Sequence, residues 1–247
     1  MGADHNENYT HSPMPERVSI IMPAYRLGST IAANARRVLA TLPEAEVLIV
    51  DDGSGDGTYE ALLPVKAENP NLIPLLHEVN KGKGEALKTG FAASTGDIIV
   101  FLDGDLDLLP EQVPEFIARL SEADIVVGAK RHTMSTENYP LSRRILSRIF
   151  AFFTTAIFGL KIRETQTGLK AFKRSALEGV MDKLRLRGYA HDLEMIVRAK
   201  VKGATIVEHP AQLSAGGLEA SLRLGMVWEL ARDTLRLLWW RVTGQLR

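Results

Sequence analysis

The stretch IIVFLDGDLDLLP, residues 98–110, gives the strongest indication of the fold. Five apolar residues run directly into three aspartates, Asp103, Asp105 and Asp107, which are spaced two residues apart. A short apolar run bounded by polar residues is typical of a strand that is buried on both faces of a parallel sheet. The three aspartates then lie at the carboxyl end of that strand.

These three carboxylates need an explanation, because like charges held close together raise one another's pKa and destabilise the fold. If the strand geometry persists beyond residue 102, alternate side chains share one face. Mg²⁺ and Mn²⁺ prefer oxygen ligands and often bridge carboxylates to phosphates. The residues alone leave two interpretations open: a divalent-cation site at all three aspartates, or a solvated strand end in which Asp105 or Asp107 caps a helix at Pro110.

Strands and helices alternate on both sides of this stretch. Their short links predict a mostly parallel sheet with helices on both faces, a Rossmann-like α/β fold. Apolar runs predict strands at 18–23, 46–54, 72–78, 97–103 and 123–130, and helical spacing predicts helices at 28–42, from 58, at 82–94 and at 110–122. The second half predicts a strand and helix within 168–180, a helix at 190–203, a strand within 204–212 and a long amphipathic helix at 219–242.

Polar residues follow the last apolar residue of three predicted strands, at 23–25, 51–52 and 103–105. In open α/β sheets ligands bind outside the carboxyl ends of the strands, so these residues point to one rim. The carboxylates of VDDGSGDGT, residues 50–58, suit a ribose hydroxyl or a base N–H, or they form an ordinary Asx-rich turn. The lysines of NKGKGEALKTG, residues 80–90, suit a phosphate or base edge at a helix entry, or they belong to a solvated loop.

Composition excludes several classes of protein. Thirty basic residues balance thirty acidic ones in the 247-residue chain, so a net field that favours nucleic acid is absent. The lack of cysteine excludes disulfides and fits a reducing compartment. Residues 1–16 lack the apolar centre of a signal peptide, and no segment reaches the roughly 18–20 apolar residues of a membrane span. We expect a cytoplasmic protein with a flexible tail at 1–16, one catalytic domain at 17–212 and an extension at 213–247.

Seven motifs occur in a fixed order between residues 17 and 210: MPAYR, VDDGSGDGT, NKGKGEALKTG, FLDGDLDLLP, VGAKR, ETQTGLKAF and HDLEMIVRA. In this order they resemble the family 2 inverting glycosyltransferases of GT-A fold. The resemblance is nearest to the dolichyl- and polyprenyl-phosphate mannosyl- and glucosyltransferases. It implies an enzyme that uses Mg²⁺ or Mn²⁺ and a nucleotide sugar of the GDP-mannose or UDP-glucose type.

The resemblance also implies roles for individual residues. The metal ligands would be Asp103, Asp105 and Asp107, and the catalytic residues would be Asp105, Arg131, Asp192 and Glu194. The nucleotide sugar would contact Pro23, Ala24, Tyr25, Asp51 or Asp52, Lys83, Asp103, Gly104, Gln166, Thr167 and Gly168. Without the resemblance, the spacing favours a surface-exposed Glu194 that pairs with Arg198 at i, i+4.

The resemblance implies that a polyprenyl or dolichyl phosphate accepts the hexose. Such a phosphate is already an anion and needs cationic residues to position it rather than a strong base. Two alternatives stay open: a hydroxyl acceptor, for which Asp192 or Glu194 would be the base, and a non-catalytic protein that binds nucleotide sugars. Many relatives carry an Arg and a Gly-x-Ser-Lys segment after the last strand. Here that position reads HPAQLSAGGLEASLR, with neither that Arg nor that Lys, and Arg223 is a candidate substitute.

Two basic and apolar segments suggest a membrane surface. Arg143, Arg144 and Arg148 precede a cluster of Ile, Leu and Phe within 139–163, and the matching family segment faces the lipid phosphate. The helix at 219–242 sets arginines against Leu, Met and Trp, as interfacial helices do. That helix could equally form a homodimer or meet a membrane subunit, since most amphipathic helices pack on protein.

Overall fold

The computed structural model describes residues 16–129, 155, 157–160, 162, 164–186, 190–214 and 224–246, with the backbone alone at 224–231. Its strands are β1 Val18–Ala24, β2 Glu46–Asp51, β3 Leu72–Leu76, β4 Ile98–Leu102, β5 Ile125–Ala129, β6 Leu169–Lys173 and β7 Ile206–Pro210. Its helices are α1 Ile31–Thr41, α2 Thr58–Glu68, α3 Lys83–Ala93, α4 Val113–Ala118, α5 Arg174–Leu177, α6 His191–Val201 and α7 Leu224–Val242.

The described strands form one seven-stranded sheet in the order β3-β2-β1-β4-β6-β5-β7. Neighbouring strands are parallel except at β6, which pairs antiparallel with both β4 and β5. The predicted mostly parallel sheet is therefore confirmed. The reversed strand matters for the site, because its first residue, Leu169, pairs with the last residue of β4, Leu102. The segment that enters β6 consequently meets the acidic loop that leaves β4.

Each face of the sheet is covered by helices, as predicted. Alternate strand residues point to opposite faces, so neighbours such as Ile20 and Ile21 enter different cores. One core packs the sheet against α1, α2 and α4, and the other packs it against α3, α5 and α6. Leu237 of α7 is fully buried in the second core, which attaches the C-terminal helix to the sheet domain. The predicted boundaries of the domain and its extension stay predictions.

Prolines account for two features of these elements, the late start of α4 and the edge position of β3. The helix predicted at 110–122 is broken into a 3₁₀ turn, α4 and a second 3₁₀ turn. Pro114 lacks an N–H to bond the carbonyl of Pro110, so a regular helix begins only at Val113. Pro74 lies inside β3 and is tolerated there because β3 is an edge strand.

The C-terminal part of the chain ends in the 19-residue α7. Neither α7 nor another helix in the described residues has the length and apolar character that a membrane crossing requires. The basic segment predicted to face lipid at 139–163 lies mostly outside the described residues, as does almost all of the predicted tail at 1–16.

Candidate active site

Asp52 organises the loop that leads into α3. Its Oδ1 accepts from His77 Nδ1 at 2.7 Å and from the backbone N–H of Lys81 at 2.9 Å. Its Oδ2 accepts from the backbone N–H of Gly82 at 2.7 Å. Because both carboxylate oxygens are used by the protein's own donors, Asp52 fixes the course of the loop rather than presenting a free carboxylate at the rim.

Asp51 connects the ends of β1 and β2. Its Oδ1 accepts from the backbone N–H of Ser54 at 3.1 Å and from the Ser54 hydroxyl. The Ser54 hydroxyl in turn accepts from the backbone N–H of Arg26 at 2.8 Å, immediately after Tyr25. The predicted rim residues of β1 and β2 are therefore adjacent, as their positions at parallel strand ends indicate.

The segment after β4 lies beside the end of β1. The backbone N–H of Gly104 donates to the Pro23 carbonyl at 3.2 Å, and the Gly104 carbonyl accepts from Asn34 Nδ2 at 2.8 Å. A Cβ on residue 104 would come within 2.8 Å of that same Pro23 carbonyl oxygen, so glycine permits the close approach. The structure thus brings the predicted residues 23–25 and 103–105 together.

The acidic loop itself is held by Lys83. The ammonium of this lysine lies 2.5 Å from Asp103 Oδ1, and both side chains are partly exposed. Burial opposes the charge of Lys83, but attraction by Asp103, Asp192 and Asp105 outweighs it and raises the pKa of the lysine. Lys83 is the first residue of α3, so the structure places it against the acidic loop at a helix N-terminus.

The three aspartates do not form a three-ligand cluster. In the described part of the chain, no group of three acidic, histidine or cysteine side chains is arranged to hold a metal ion. Asp105 Oδ1 accepts from the backbone N–H of Asp107 at 3.2 Å. The backbone carbonyl of Asp107 in turn accepts from the backbone N–H of Ser214. Asp107 as a third ligand is therefore not supported, which leaves Asp103 and Asp105 as the candidate pair.

The alternative interpretation of the aspartates, as caps of a helix at Pro110, is wrong. Leu109 occupies the capping position, and no side chain caps this 3₁₀ turn. Burial first, and then the like charges of Asp103 and Asp107, raise the pKa of Asp105. Lys83 offsets part of this repulsion, and a bound divalent cation would offset it further.

Gly168 closes the acidic loop from the other side. Its carbonyl accepts from the backbone N–H of Asp103 at 3.2 Å. A Cβ at this position would collide with Asp103 Oδ2, so a side chain here would displace the carboxylate. Neighbouring Thr167 is fully buried, and its hydroxyl has no hydrogen-bond partner among the described atoms. Gln166 is exposed beside them. Gly168 thus contacts Asp103 of the predicted metal pair, and Gln166 and Thr167 directly precede it in the chain.

A buried polar cluster lies behind this edge, and sequence reasoning found only part of it. Lys170 of β6 donates to the Thr167 carbonyl at 2.5 Å and lies 3.0 Å from Asp192 Oδ1. His191 packs against Gly84 at the start of α3, where a Cβ would come within 2.8 Å of its ring. Lys170 and His191 were not predicted. Lys170 shares a face of β6 with buried Phe172, and a cation at such a position requires a partner.

Charge in this cluster is set by burial and by pairing. Burial lowers the pKa of His191 to about 4 against the attraction of Asp192, so the imidazole is neutral at physiological pH. Burial also lowers the pKa of Lys170. For Asp192 burial acts in the opposite direction, but Lys170 and Lys83 outweigh it and lower the pKa of the carboxyl. Asp192 is therefore an ionised carboxylate held near Lys83.

Glu194 lies inside the second core rather than at the rim of the sheet. Its side chain is fully buried, and it accepts from Arg198 Nε at 2.8 Å and from the backbone N–H groups of Arg185 at 2.9 Å and Leu186 at 2.7 Å. With its oxygens engaged by three donors, it is placed to hold α6 to the preceding turn, which argues against the predicted catalytic role. The alternative pairing with Arg198 is confirmed, although the pair is buried rather than on the surface.

Four predicted cationic residues, Arg131, Arg143, Arg144 and Arg148, lie outside the described residues, as does Arg223. Their predicted contacts with the acceptor stay predictions. The described site therefore consists of the donor side of the predicted pocket, built from both halves of the chain.

Comparison with known proteins agrees with this architecture. The undecaprenyl-phosphate mannosyltransferase of Micrococcus luteus is 30% identical over 227 residues, which cover 89% of this chain and 93% of that protein. The polyprenol monophosphomannose synthase of Mycolicibacterium smegmatis is 25% identical over 238 residues, covering 94% and 89%. The glucosyl-3-phosphoglycerate synthase of Mycobacterium tuberculosis, solved with Mn²⁺ and UDP-glucose, matches with a TM-score of 0.64 at 19% identity over 90% of this chain and 77% of that one.

The structural likeness, at that low identity, concerns the fold, and it confirms the GT-A architecture expected from the sequence. The family model described as Glycosyl transferase family 2 matches residues 19–181, which include the loops of Asp52, Lys83 and Asp103 and the turn at Gly168. This match covers more than half of the chain and confirms the resemblance noted in the motifs. The protein is a glycosyltransferase and belongs to glycosyl transferase family 2.

Proposed function

We propose that the chain transfers a hexose, with inversion, from a nucleotide sugar to a polyprenyl phosphate in a reaction that depends on a divalent cation. The observation that carries the proposal is the grouping of Lys83, Asp103 and Asp105 at the carboxyl edge of the sheet. It offers carboxylates to a cation and an ammonium to a phosphate oxygen. The acceptor is proposed from the two relatives that are named for polyprenyl-type lipids.

Asp103 and Asp105 would hold the Mg²⁺ or Mn²⁺ ion. The raised pKa of Asp105, which burial and its like-charged neighbours cause, supports this assignment because a bound cation removes the repulsion. When bound, such a cation stabilises the negative charge of a leaving diphosphate. Mn²⁺ accompanies UDP-glucose in the structure of the Mycobacterium tuberculosis synthase, which has the same fold.

The nucleoside would lie along the ends of β1 and β2, beside Tyr25. Of the two carboxylates there, Asp51 has its Oδ1 engaged by Ser54, whereas Asp52 has both oxygens bonded to its own loop and His77. We therefore assign direct contact with the base or ribose to Asp51. Asp52 positions the loop that presents Lys83.

Asp192 would face the transferred sugar as an anion. Displacement at the anomeric carbon develops positive charge on the ring, and a nearby ionised carboxylate stabilises that charge. Lys170 keeps this carboxylate ionised, which also makes it a weak base. A weak base suits an acceptor that is already an anion, and this argument favours a lipid phosphate over a hydroxyl.

A labelled-donor assay tests the proposal. The protein is incubated with labelled GDP-mannose or UDP-glucose, Mn²⁺ and a short polyprenyl phosphate, and label is measured in the organic phase. Asp105→Asn should reduce transfer at least about 100-fold, the scale of losing one charge-stabilising group from an active site. Asp182→Asn, which changes an exposed aspartate of the turn Met181–Lys183, is the matched control and should transfer normally. Transfer only to hydroxyl acceptors, or transfer indifferent to chelation of the metal, contradicts the proposal.

A further inference from the structure

Helix α7 presents an apolar face to solvent. Leu235, Trp239 and Val242 are 66%, 58% and 78% exposed, and their spacing of four and three residues places them on one side of the helix. The opposite side is buried through Leu237 and rests on the second core. The helix is therefore already anchored by one side, and its exposed apolar side has no partner within the described residues.

A groove of about 650 Å³ continues this face between the ends of α6 and α7. Val201, which is 41% exposed, and Val242 form part of its apolar wall. Lys200 and Arg241 also line it, and none of the lining residues, all of which are described, is acidic. The groove thus combines apolar walls with two cations, the pattern that suits a phosphate attached to an apolar chain.

The charges around this surface indicate which kind of partner would cover it. Four cations border it, Arg232, Arg236, Arg241 and Lys200, and the described carboxylate among them is Asp233, which is buried and paired with Arg232 and Arg236. A second copy of the chain would bring two positive faces together, and like charges across an interface cost free energy. An anionic lipid surface complements both the positive charge of this face and the exposed side chain of Trp239.

We infer that the face formed by Leu235, Trp239 and Val242, together with the groove at Lys200 and Arg241, binds the anionic phospholipid surface of a membrane. Arg241 Nη1 already donates to the Ile157 carbonyl, which holds the guanidinium next to Phe158 of the groove wall. α6 connects this surface to the site, since it begins at His191 and Asp192 and reaches Lys200 about 12 Å further along its axis. The inference concerns this surface alone and holds for either class of acceptor.

Vesicle co-sedimentation tests the inference directly. The full chain should sediment with vesicles that contain phosphatidylglycerol, bind vesicles of pure phosphatidylcholine weakly, and be released by salt. Each cation near an anionic surface contributes about fivefold in partitioning, so Lys200→Gln with Arg241→Gln should weaken binding roughly 25-fold. Leu235→Glu with Val242→Glu should abolish binding, because both side chains are exposed and the substitutions leave the core intact.

Leu63→Glu is the matched control, since Leu63 is 46% exposed on α2, away from this face, and should bind vesicles as the wild type does. Circular dichroism and the melting temperature verify that each variant is folded. Transfer to a water-soluble short-chain acceptor should persist in the surface variants, which separates this inference from the proposed function. Equal vesicle binding by all variants overturns the inference, and so does a lipid-free dimer that Leu235→Glu dissociates in light scattering.

Discussion

Lys83 is the residue on which the charge balance of the site depends. Its ammonium is 2.5 Å from Asp103, one of the two carboxylates assigned to the cation. In the ligand-free protein this lysine supplies the positive charge that the acidic loop requires. It also lies at the N-terminus of α3, where the helix dipole and the side chain both favour an anion. We therefore expect Lys83 to turn toward the donor diphosphate when the nucleotide sugar binds.

Lys83→Met should weaken binding of a nucleoside diphosphate. A hydrogen bond to a charged group contributes about 1.5–3 kcal/mol, so affinity measured by calorimetry in the presence of Mn²⁺ should fall about tenfold or more. Lys81→Met is the matched control, because Lys81 is an exposed lysine of the same loop whose backbone contacts Asp52. If both variants bind as the wild type does, Lys83 has no role toward the diphosphate.

At the scale of the elements, Asp124 fastens the start of β5 to the start of β7. Its carboxylate accepts from the backbone N–H of Thr205 at 2.9 Å and from the Thr205 hydroxyl at 2.7 Å, and it lies 3.1 Å from Lys173 Nζ at the end of β6. These contacts, led by the backbone bond of Thr205, lower the pKa of Asp124 to about 2. One side chain thus connects three neighbouring strands at the edge of the sheet opposite the site.

Asp124→Ala should remove a pH-dependent part of the stability. A carboxyl whose pKa is lower in the folded protein stabilises the fold above its ordinary value, about 3.9, and loses that contribution as pH falls toward 2. We expect the variant to unfold about 1 kcal/mol more easily at pH 7, after allowance for solvent screening, and the difference should shrink below pH 4. Urea unfolding at several pH values measures it, and a difference that does not vary with pH contradicts the assignment.

The strands and the rim could be predicted from sequence, whereas the direction of β6 could not. Apolar runs report burial, and Asp51 and Asp103 follow such runs directly. Strand direction, by contrast, depends on where the chain returns after residue 129, and local periodicity carries no information about it. The same reversal placed Gly168 against Asp103 and Lys170 against Asp192, so these contacts were visible only in the structure. The burial of Glu194 and its bonds to three donors were likewise not visible in the sequence, because a buried acid and a catalytic acid have the same helical spacing.

At the scale of the whole molecule, a buried ion pair joins the sheet domain to the C-terminal segment. Arg198 pairs with Glu194 inside the second core, and its Nη1 donates to the Gln245 carbonyl at 3.3 Å. The Trp240 ring lies 5.9 Å from the Arg198 guanidinium and 5.2 Å from that of Arg185. Arg198 therefore contacts both α7 and the residues after it while it also pairs with the carboxylate of α6.

Arg198→Met should destabilise the protein by about 3–5 kcal/mol, because it leaves Glu194 as an unpaired buried charge. Glu194→Gln should also destabilise it, while keeping its kcat at temperatures where it is folded. Chemical unfolding measures both, and Arg36→Met, which breaks an exposed pair with Glu68, should cost no more than about 1 kcal/mol. A loss of kcat in folded Glu194→Gln with unchanged stability would show that Glu194 is catalytic after all.

The reversed strand also fixes the order in which the sheet can be completed during synthesis. β5 is made before β6 and β7, yet these two later strands are its neighbours in the sheet. A nascent chain that ends at Ala129 therefore has β4 as an open edge and β5 without a place beside it. Synthesis must therefore reach Lys173 before β6 can pair with the open edges of β4 and β5. The chain carries its donor-side residues through translation on a half-built sheet. Insertion of β6 between β4 and β5 then brings Gly168 to Asp103, before α6 adds Asp192 and β7 completes the sheet.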